Sequence, residues 1–308
     1  MRPHLQIRAV PIGAIIGLMV IAFPLSGQNP QGPSRSGPTS GCKSGDCQNG
    51  TGMYEWPDGE RYEGGFQNGR VHGRGVYRMI NGTVIHGVFA AGKLSGQAQI
   101  RYADGSAYTG DVRDGQKNGE GEQRYTDGTR YSGVFRNDLP NGRGSLFRKD
   151  GSVITGTFRD GQPEGDVELK LPGGDQYSGP IQGDGLPAGK GRLRLKSGAI
   201  YTGEFRAGRP EGQGRLEWPD GARYAGEFRR GVMQGQGQYF YANGDVYTGS
   251  FENGLPHGAG EFVYKNGARY VGAFEKGRKH GAGVYTAPDG RRTEGQFRRD
   301  DYTGPTPP

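Results

Sequence analysis

One spacing governs this chain. Tyr62, Ile85, Tyr108, Tyr131, Ile154 and Tyr177 lie 23 residues apart; after a single step of 24, Tyr201, Tyr224, Tyr247, Tyr270 and Thr293 resume it. With that residue as position zero, position two is glycine in all eleven copies, from Gly64 to Gly295. Position four is Phe in nine, with Val112 and Ile181 as exceptions. Glycines return at eleven and thirteen, as in Gly73 and Gly75 or Gly258 and Gly260. Apolar residues follow at fifteen and usually seventeen, such as Leu216 and Trp218. Each copy closes on a pair such as Asp104-Gly105 or Asn243-Gly244, and the extra residue of the long step falls in PIQGDGLPAGKG. A strict period of this length marks a repeat architecture, in which each unit buries its apolar face against its neighbours.

The unit reads as a β-hairpin. Tyr, Gly and Phe at zero, two and four alternate with polar residues, which is the period of a strand with one buried face. Positions eleven to seventeen give a second strand of the same pattern. The Asx-Gly pair predicts a tight turn, because glycine accepts positive φ. The other link, usually with Gly at position seven, is predicted to be longer and looser. Glycines on the aromatic face leave space for neighbouring rings to lie over the backbone, so cross-strand aromatic pairs replace a thick core. Composition agrees: there are 62 Gly, 31% hydrophobic residues and a mean hydropathy of −0.79, yet also 17 Tyr and 13 Phe, too many for a disordered chain. The expected fold is all-β, an elongated twisted antiparallel sheet of tandem 23-residue hairpins. At about 4.8 Å per strand this gives roughly 10 Å per repeat, a rod on the order of 100 Å.

Periodicity also excludes chemistry. A phosphate loop is one special Gly-rich turn leading into a helix, whereas Gly258 and Gly260 repeat the pair of nearly every unit and no helical pattern follows. His72, His257 and His280 share one link position, where a catalytic histidine would stand once beside a unique partner. Carboxylates such as Asp111, Glu204 and Glu227 also recur with the repeat, and no nucleophile motif with its base appears. No enzyme, cofactor or metal site is expected.

The pattern Tyr-x-Gly-x-Phe-x-x-Gly-x-x-x-Gly-x-Gly resembles the MORN repeat (membrane occupation and recognition nexus) over about residues 48 to 304. It is similar to an exported member of bacterial type. The resemblance implies sheets of successive hairpins, and roles in membrane or phospholipid association, scaffolding and dimerisation. Some members append a lipid kinase or methyltransferase domain, for which nothing outside this array is long enough. Ile85, Ile154 and Thr293 depart from Tyr, and Ala98 and Val167 from the second glycine.

Around the array, residues 1–27 combine Arg2 and Arg8 with the apolar run VPIGAIIGLMVIAFPL and a small-residue exit, which predicts a signal peptide or a retained N-terminal anchor. Either reading exports the rest to the periplasm, the cell exterior or the membrane surface. Residues 28–38 form a Pro/Gly/Ser-rich linker, 39–304 the array (degenerate first unit 39–61, truncated last unit 293–304) and 305–308 a Pro-rich tail. Cys42 and Cys47, the only cysteines of an exported chain, are expected to form a disulfide, and two thiolates without a nearby His make a poor zinc set.

Two faces could bind. Arg113, Arg136, Arg159, Arg206, Arg229 and Arg298 recur at position five, and Arg78, Arg101, Arg124, Lys170 and Arg194 at position sixteen. Parity puts both on the polar face, where they form either a basic track for anionic phospholipid or an envelope polyanion, or simply a solvated surface. Glu204 and Glu227 share that face. The net charge of +7 favours anionic partners, although the export signal argues against nucleic acid. On the other face, a groove lined by Tyr108, Tyr131, Tyr201, Tyr224, Tyr247 and Tyr270 could hold a protein partner, a glycan or a second copy, unless the rings pack only on one another. The leading expectation is a non-catalytic scaffold at a membrane or envelope surface, and the alternative is a regulator or assembly factor using the aromatic face. The edge near Gln296–Phe297 is expected to be unpaired, inviting a homodimer or needing GPTPP to block it.

Overall fold

The computed structural model describes residues 41–182 and 185–306. The expected leader or anchor (1–27), the linker (28–38), the first two residues of the 39–61 unit and the last two of the 305–308 tail lie outside the described residues. Described residues fall into two compact units, 41–172 and 173–306, each with twelve strands. In the first unit every strand from Cys42–Gly45 to Gln162–Lys170 pairs antiparallel with the next in sequence. The same rule holds from Gln176–Pro180 to Asp301–Gly304 in the second. No α-helix interrupts either, so the all-β antiparallel hairpin array read from the period is the observed fold.

The hairpin that starts at Val246 shows the anatomy. Its tyrosine strand, Val246–Glu252, turns through Asn253-Gly254 into its glycine strand, Leu255–Val263. Both turn residues are left-handed, at φ 51° and 81°, the geometry of a two-residue turn that follows the twist of its strands. Phe251 then pairs with Pro256 and Gly249 with Gly260, so Ser250 faces three residues and the glycine strand bulges. Gly258 sits in that bulge at φ 72°, which is why position eleven is always glycine. The Asx-Gly link is the looser one: the Tyr264 N–H donates to the Ala268 carbonyl at 2.8 Å across a three-residue loop, and the Gly267 N–H donates to the Tyr264 carbonyl at 2.9 Å.

The two links therefore exchange the roles that the sequence suggested. Asn266 spends its Oδ1 on the Ala268 N–H at 3.0 Å, as Asp104 does on Ser106 and Asp127 on Thr129. Only the glycine of the pair takes positive φ, 87° at Gly267. At the real tight turn the left-handed first position is filled by Asn68, but also by Ala91, Ala207, Arg230 and Lys276. That mixture hid the turn signature from a reading based on residue type.

The core is a row of rings on bare backbone. Tyr247 is fully buried beneath the strands; a Cβ on Gly260 would come within 2.5 Å of its Oη and 2.6 Å of its Cε2. Its hydroxyl donates to the Ser250 carbonyl at 2.9 Å, and Tyr108, Tyr131, Tyr177, Tyr201, Tyr224 and Tyr270 make the same bond three residues on. Where position four is Phe the ring also meets two phenylalanines nearly edge-on, as Tyr247 does with Phe251 at 5.1 Å and Phe274 of the next repeat at 4.9 Å. Tyr108 and Tyr177, with Val112 and Ile181 there, meet only that of the next repeat. Such pairs contribute about 0.5–1.5 kcal/mol beyond the area they bury. The departures follow from this geometry. Where the ring is Ile85 the partner position is Ala98, and where it is Ile154 the partner is Val167. Without a ring over the backbone a Cβ fits, and it fills the space.

Two local expectations change. The long step replaces the two-residue turn with a link in which Ile181 bridges Pro187 and the Ala188 N–H donates to the Pro180 carbonyl at 3.0 Å. The edge at Gln296–Phe297 is not open: Gln296 pairs with Gly304, Phe297 with Tyr302 and Arg298 with Asp301. The short strand Asp301–Gly304 folds back because Tyr302 can set its ring 5.6 Å from Phe297, prolonging the aromatic row.

Exchange between ring and spacer should be measurable. Gly260→Ala should lower the urea midpoint by an amount equal to roughly 1–3 kcal/mol, the usual cost of overpacking. Tyr247→Ile with Gly260→Ala should lose less than the sum of the two single changes by at least about 0.5 kcal/mol. Strict additivity would show that ring and glycine do not share one space.

The phenols predict an alkaline limit. Burial pushes Tyr62, Tyr131, Tyr264 and Tyr270 up from 10.0 to about 12, and Tyr201, Tyr224 and Tyr247 higher still. A group raised on folding stabilises fully below its unfolded value and loses that contribution as pH passes its folded value. Strand circular dichroism should hold to about pH 10 and collapse by about pH 12, with tyrosinate absorbance appearing in the same step. Tyrosinate appearing near pH 10 with the strands intact would contradict this burial.

Candidate binding faces

Residues that point away from the rings build the outward face. All ten arginines singled out by the repeat are exposed on it: Arg78, Arg101, Arg113, Arg124, Arg136, Arg159, Arg194, Arg206, Arg229 and Arg298. They do not form one track. Position five sits beside the tight turn, where Arg206 pairs with Arg209 and Arg136 with Leu139. Position sixteen sits beside the three-residue loop, where Arg78 lies between Arg61 and Val84. Six residues of strand, about 20 Å, separate the two edges. In the first unit Arg113, Arg136 and Arg159 form a turn-edge row, and Arg78, Arg101 and Arg124 a loop-edge row with Lys170. In the second unit Arg206, Arg229 and Arg298 lie at the turn edge and Arg194 at the loop edge.

Most of this charge is uncommitted. Arg124 bonds Glu122 at 2.8 Å and Arg159 bonds Glu164 at 3.0 Å; the other eight make no ion pair among the described residues. Burial works against the Glu122 charge, but bonds from Arg124 and Arg130 outweigh it and hold the carboxyl below its usual range. The acids expected to neutralise the face are occupied elsewhere. Glu227 accepts the Gln236 N–H at 3.0 Å and lies over Gly235, and Asp111 accepts the Glu120 N–H at 3.1 Å beside Gly119. A carboxylate at position three thus caps the bulge opposite, a role that appears only once the strands are paired.

His257 and His280 hold equivalent places in two copies, and the two cysteines cross-link. His257 lies 3.3 Å from Glu252 and His280 3.4 Å from Glu275, the same exposed cross-hairpin contact in two copies. Cys42 and Cys47 form the expected disulfide, with Cα atoms 6.0 Å apart, closing a loop at the start of the first unit. Among the described residues no cluster of His, Cys, Asp or Glu could hold a metal, and no helix is long and apolar enough to cross a membrane.

The tyrosines named as groove residues are placed inside. Tyr108 is 1% exposed, and Tyr131, Tyr201, Tyr224, Tyr247 and Tyr270 are 0% exposed, so ring packing and glycine backbone take up their surfaces. A concavity lies on the other face. In the first unit an open depression of about 550 Å³ is lined by Arg74, His86, Val88, Gln97, Gln99 and Thr109, among others. Residues at one, three, twelve and fourteen meet there across paired strands, a grouping that no run of sequence displays.

Among solved structures, the chain is similar to the TCP10 domain of Danio rerio CPAP in complex with a peptide of Danio rerio STIL. Identity is 15% and the TM-score 0.37, covering 80% of this chain and 98% of that one. It is also similar to the SAS-4 (dCPAP) TCP domain of Drosophila melanogaster in complex with a proline-rich motif of Ana2, at 14% identity and TM-score 0.33, covering 58% and 90%. A third, virginiamycin B lyase from Staphylococcus aureus, has 14% identity and a TM-score of 0.13, covering 72% and 69%. At these scores the likenesses carry no functional argument. No curated protein matches the chain. The MORN repeat matches residues 42–61, 62–84, 108–130, 131–153, 201–223, 224–246, 247–269 and 270–291. It passes over the copies headed by Ile85, Ile154 and Thr293, which lack the ring, and by Tyr177, which has the long link, although these form hairpins too. With more than half of its length matched and the hairpins continuing between the matches, the chain belongs to the MORN repeat family.

Proposed function

We propose that this chain is a non-catalytic scaffold at a membrane or cell-envelope surface, and that its outward arginine rows take anionic phospholipid headgroups. One observation carries the reading: eight repeat-borne arginines stand exposed without an ion pair among the described residues, while acids of the same face are turned onto backbone N–H groups. In the first unit the guanidinium groups of Arg113, Arg136 and Arg159, about 10 Å apart and one per repeat, suit a plane of phosphates better than one small ligand, whereas Glu252 and Glu275 interrupt the turn-edge row of the second. Export through residues 1–27 would bring the rows to such a plane, as a free secreted chain or a tethered one. Each arginine near an anionic surface contributes about 1 kcal/mol, so a row of three gives a reversible, salt-sensitive attachment.

Arg113→Gln, Arg136→Gln and Arg159→Gln together should weaken co-sedimentation with phosphatidylglycerol vesicles about 100-fold at low salt. The same changes at Arg78, Arg101 and Arg124 test the loop-edge row separately. Wild-type binding should collapse as salt shortens the screening length from about 30 Å at 0.01 M to about 3 Å at 1 M. Undiminished binding by both triple variants would remove the arginine rows from the function.

A second reading is favoured by the depression lined by Arg74, His86, Gln97, Gln99 and Thr109, which contains no acidic residue. Val76 and Val88 give it an apolar floor and Arg74 suits a protein segment with an acidic side chain, while the Gln97 amide is held by Asp111 at 2.5 Å. Attachment to a protein there would persist at high salt and be lost on filling the depression with Thr109→Arg, leaving vesicle binding intact.

A further inference from the structure

Position nine of the repeat faces the core, beneath the rings. It holds Val71, Leu94, Pro140, Pro163, Pro210, Met233 and Pro256, but Lys117 and Lys279 break the rule. In both cases the tight turn of the following hairpin breaks a rule too, with Asp138 and Asp300 where Gly69, Gly92, Gly161, Gly231 and others stand. The structure joins the paired exceptions. The Lys117 N–H donates to Asp138 Oδ1 at 2.8 Å while the Asp138 N–H donates to the Lys117 carbonyl at 3.1 Å. Lys279 and Asp300 repeat this at 2.9 and 3.0 Å. Where position nine is proline there is no N–H to satisfy; where it is lysine the aspartate satisfies it.

Each ammonium then lies in a cage of rings. Lys117 Nζ donates to Gln123 Oε1 at 2.8 Å and sits 5.4–5.8 Å from the ring centres of Tyr102, Tyr108 and Phe135. Lys279 Nζ donates to Tyr264 Oη at 3.1 Å, with Tyr264, Tyr270, Tyr285 and Phe297 at 5.5–5.9 Å. Asp138 acts on Lys117 from the following turn, and Asp104 and Asp111 stand behind Tyr102 and Tyr108. Lys279 is faced by Asp300, Asp301 and Tyr285. Burial lowers the Lys117 amine from 10.5 to about 8 against the pull of Asp138, and lowers Lys279 too. Neither aspartate makes an ion pair with its ammonium among the described residues; the carboxylate charge acts on it at longer range and offsets part of the cost of burying a cation among rings.

Beyond the backbone ladders to its two neighbours, the first instance has little side-chain packing to hold it. Strand Gln116–Arg124 reads QKNGEGEQR and carries no apolar side chain, whereas Arg209–Glu217 and Leu255–Val263 bring Pro and Leu or Phe to the core. Its Gly121 is the backbone on which the Tyr108 ring rests.

We propose that strand Gln116–Arg124 is a built-in opening point of the first unit, held shut by the Lys117–Asp138 pair, and that its opening uncovers the rings of Tyr108 and Phe135. Lys279–Asp300 is a milder copy in the second unit, since Arg278–Thr286 keeps Val284 and Tyr285.

Native-state hydrogen exchange on the full chain tests this. Asp138→Asn keeps an oxygen for the Lys117 N–H and removes only the charge. It should speed exchange across 116–124 at least about tenfold while leaving 209–217 unchanged. Lys117→Met with Asp138→Asn should restore wild-type protection or better. In the wild type, protection of 116–124 corrected for intrinsic rates should rise between pH 8 and 10.5, because the folded amine sheds its proton first, and Lys117→Met should abolish that rise. Unchanged exchange in Asp138→Asn, a double variant as fast as the single, or equal loss of protection in every strand would each overturn the proposal.

Discussion

A tyrosine ring laid flat on a glycine backbone is the contact from which the rest of this molecule follows. The ring needs a strand without Cβ atoms beneath it, so positions two and thirteen are glycine wherever position zero is tyrosine and the strand pair is complete. It needs an edge partner, so phenylalanine recurs at four and each ring reaches the phenylalanine of the next repeat. A hydroxyl at that depth needs an acceptor, which the carbonyl three residues on supplies. Ile85 with Ala98 and Ile154 with Val167 show the same constraint from the other side: when the ring goes, the glycine at position thirteen is released, while Gly87 and Gly156 remain at position two.

With the aromatic surface consumed in this way, only the outward face remains for partners. The bulge places acids at position three over the backbone opposite, where they bond N–H groups and not the arginines of the same face, eight of which make no ion pair among the described residues. Hairpin length then divides those arginines between two edges instead of merging them into one stripe. A repeat that solves its own packing with uncharged rings can carry charge outside at small cost, because solvent screens it. Lys117 and Lys279 are the exceptions that carry charge inward, and each has a carboxylate to match.

Much of the fold was legible because the repeat prints the same experiment many times. Tyr62 to Thr293 gave the period, alternation gave the strands, and the glycine pairs gave the idea of rings over backbone. The turns were misassigned because Asp104 and Asn243 look like left-handed turn residues but serve as side-chain acceptors, while Ala91 and Arg230 occupy the left-handed positions. Residue type records what a side chain prefers; the closing strands decide what it must adopt. The edge at Gln296 was similarly misread, since a four-residue strand is too short to announce itself.

Sequence alone determined that this chain is a hairpin array, which face of each strand is aromatic, and that its glycines are spacers for the rings, because these depend on local alternation and on a period that neighbours must share. Tertiary structure decided which surface is left over. Only pairing across strands shows that the tyrosines are sealed, that the arginines form two edges, that position-three acids cap the opposite bulge, and that Lys117 meets Asp138 across 21 residues. Those facts are set by register, which residues far apart fix together and no single stretch of sequence contains.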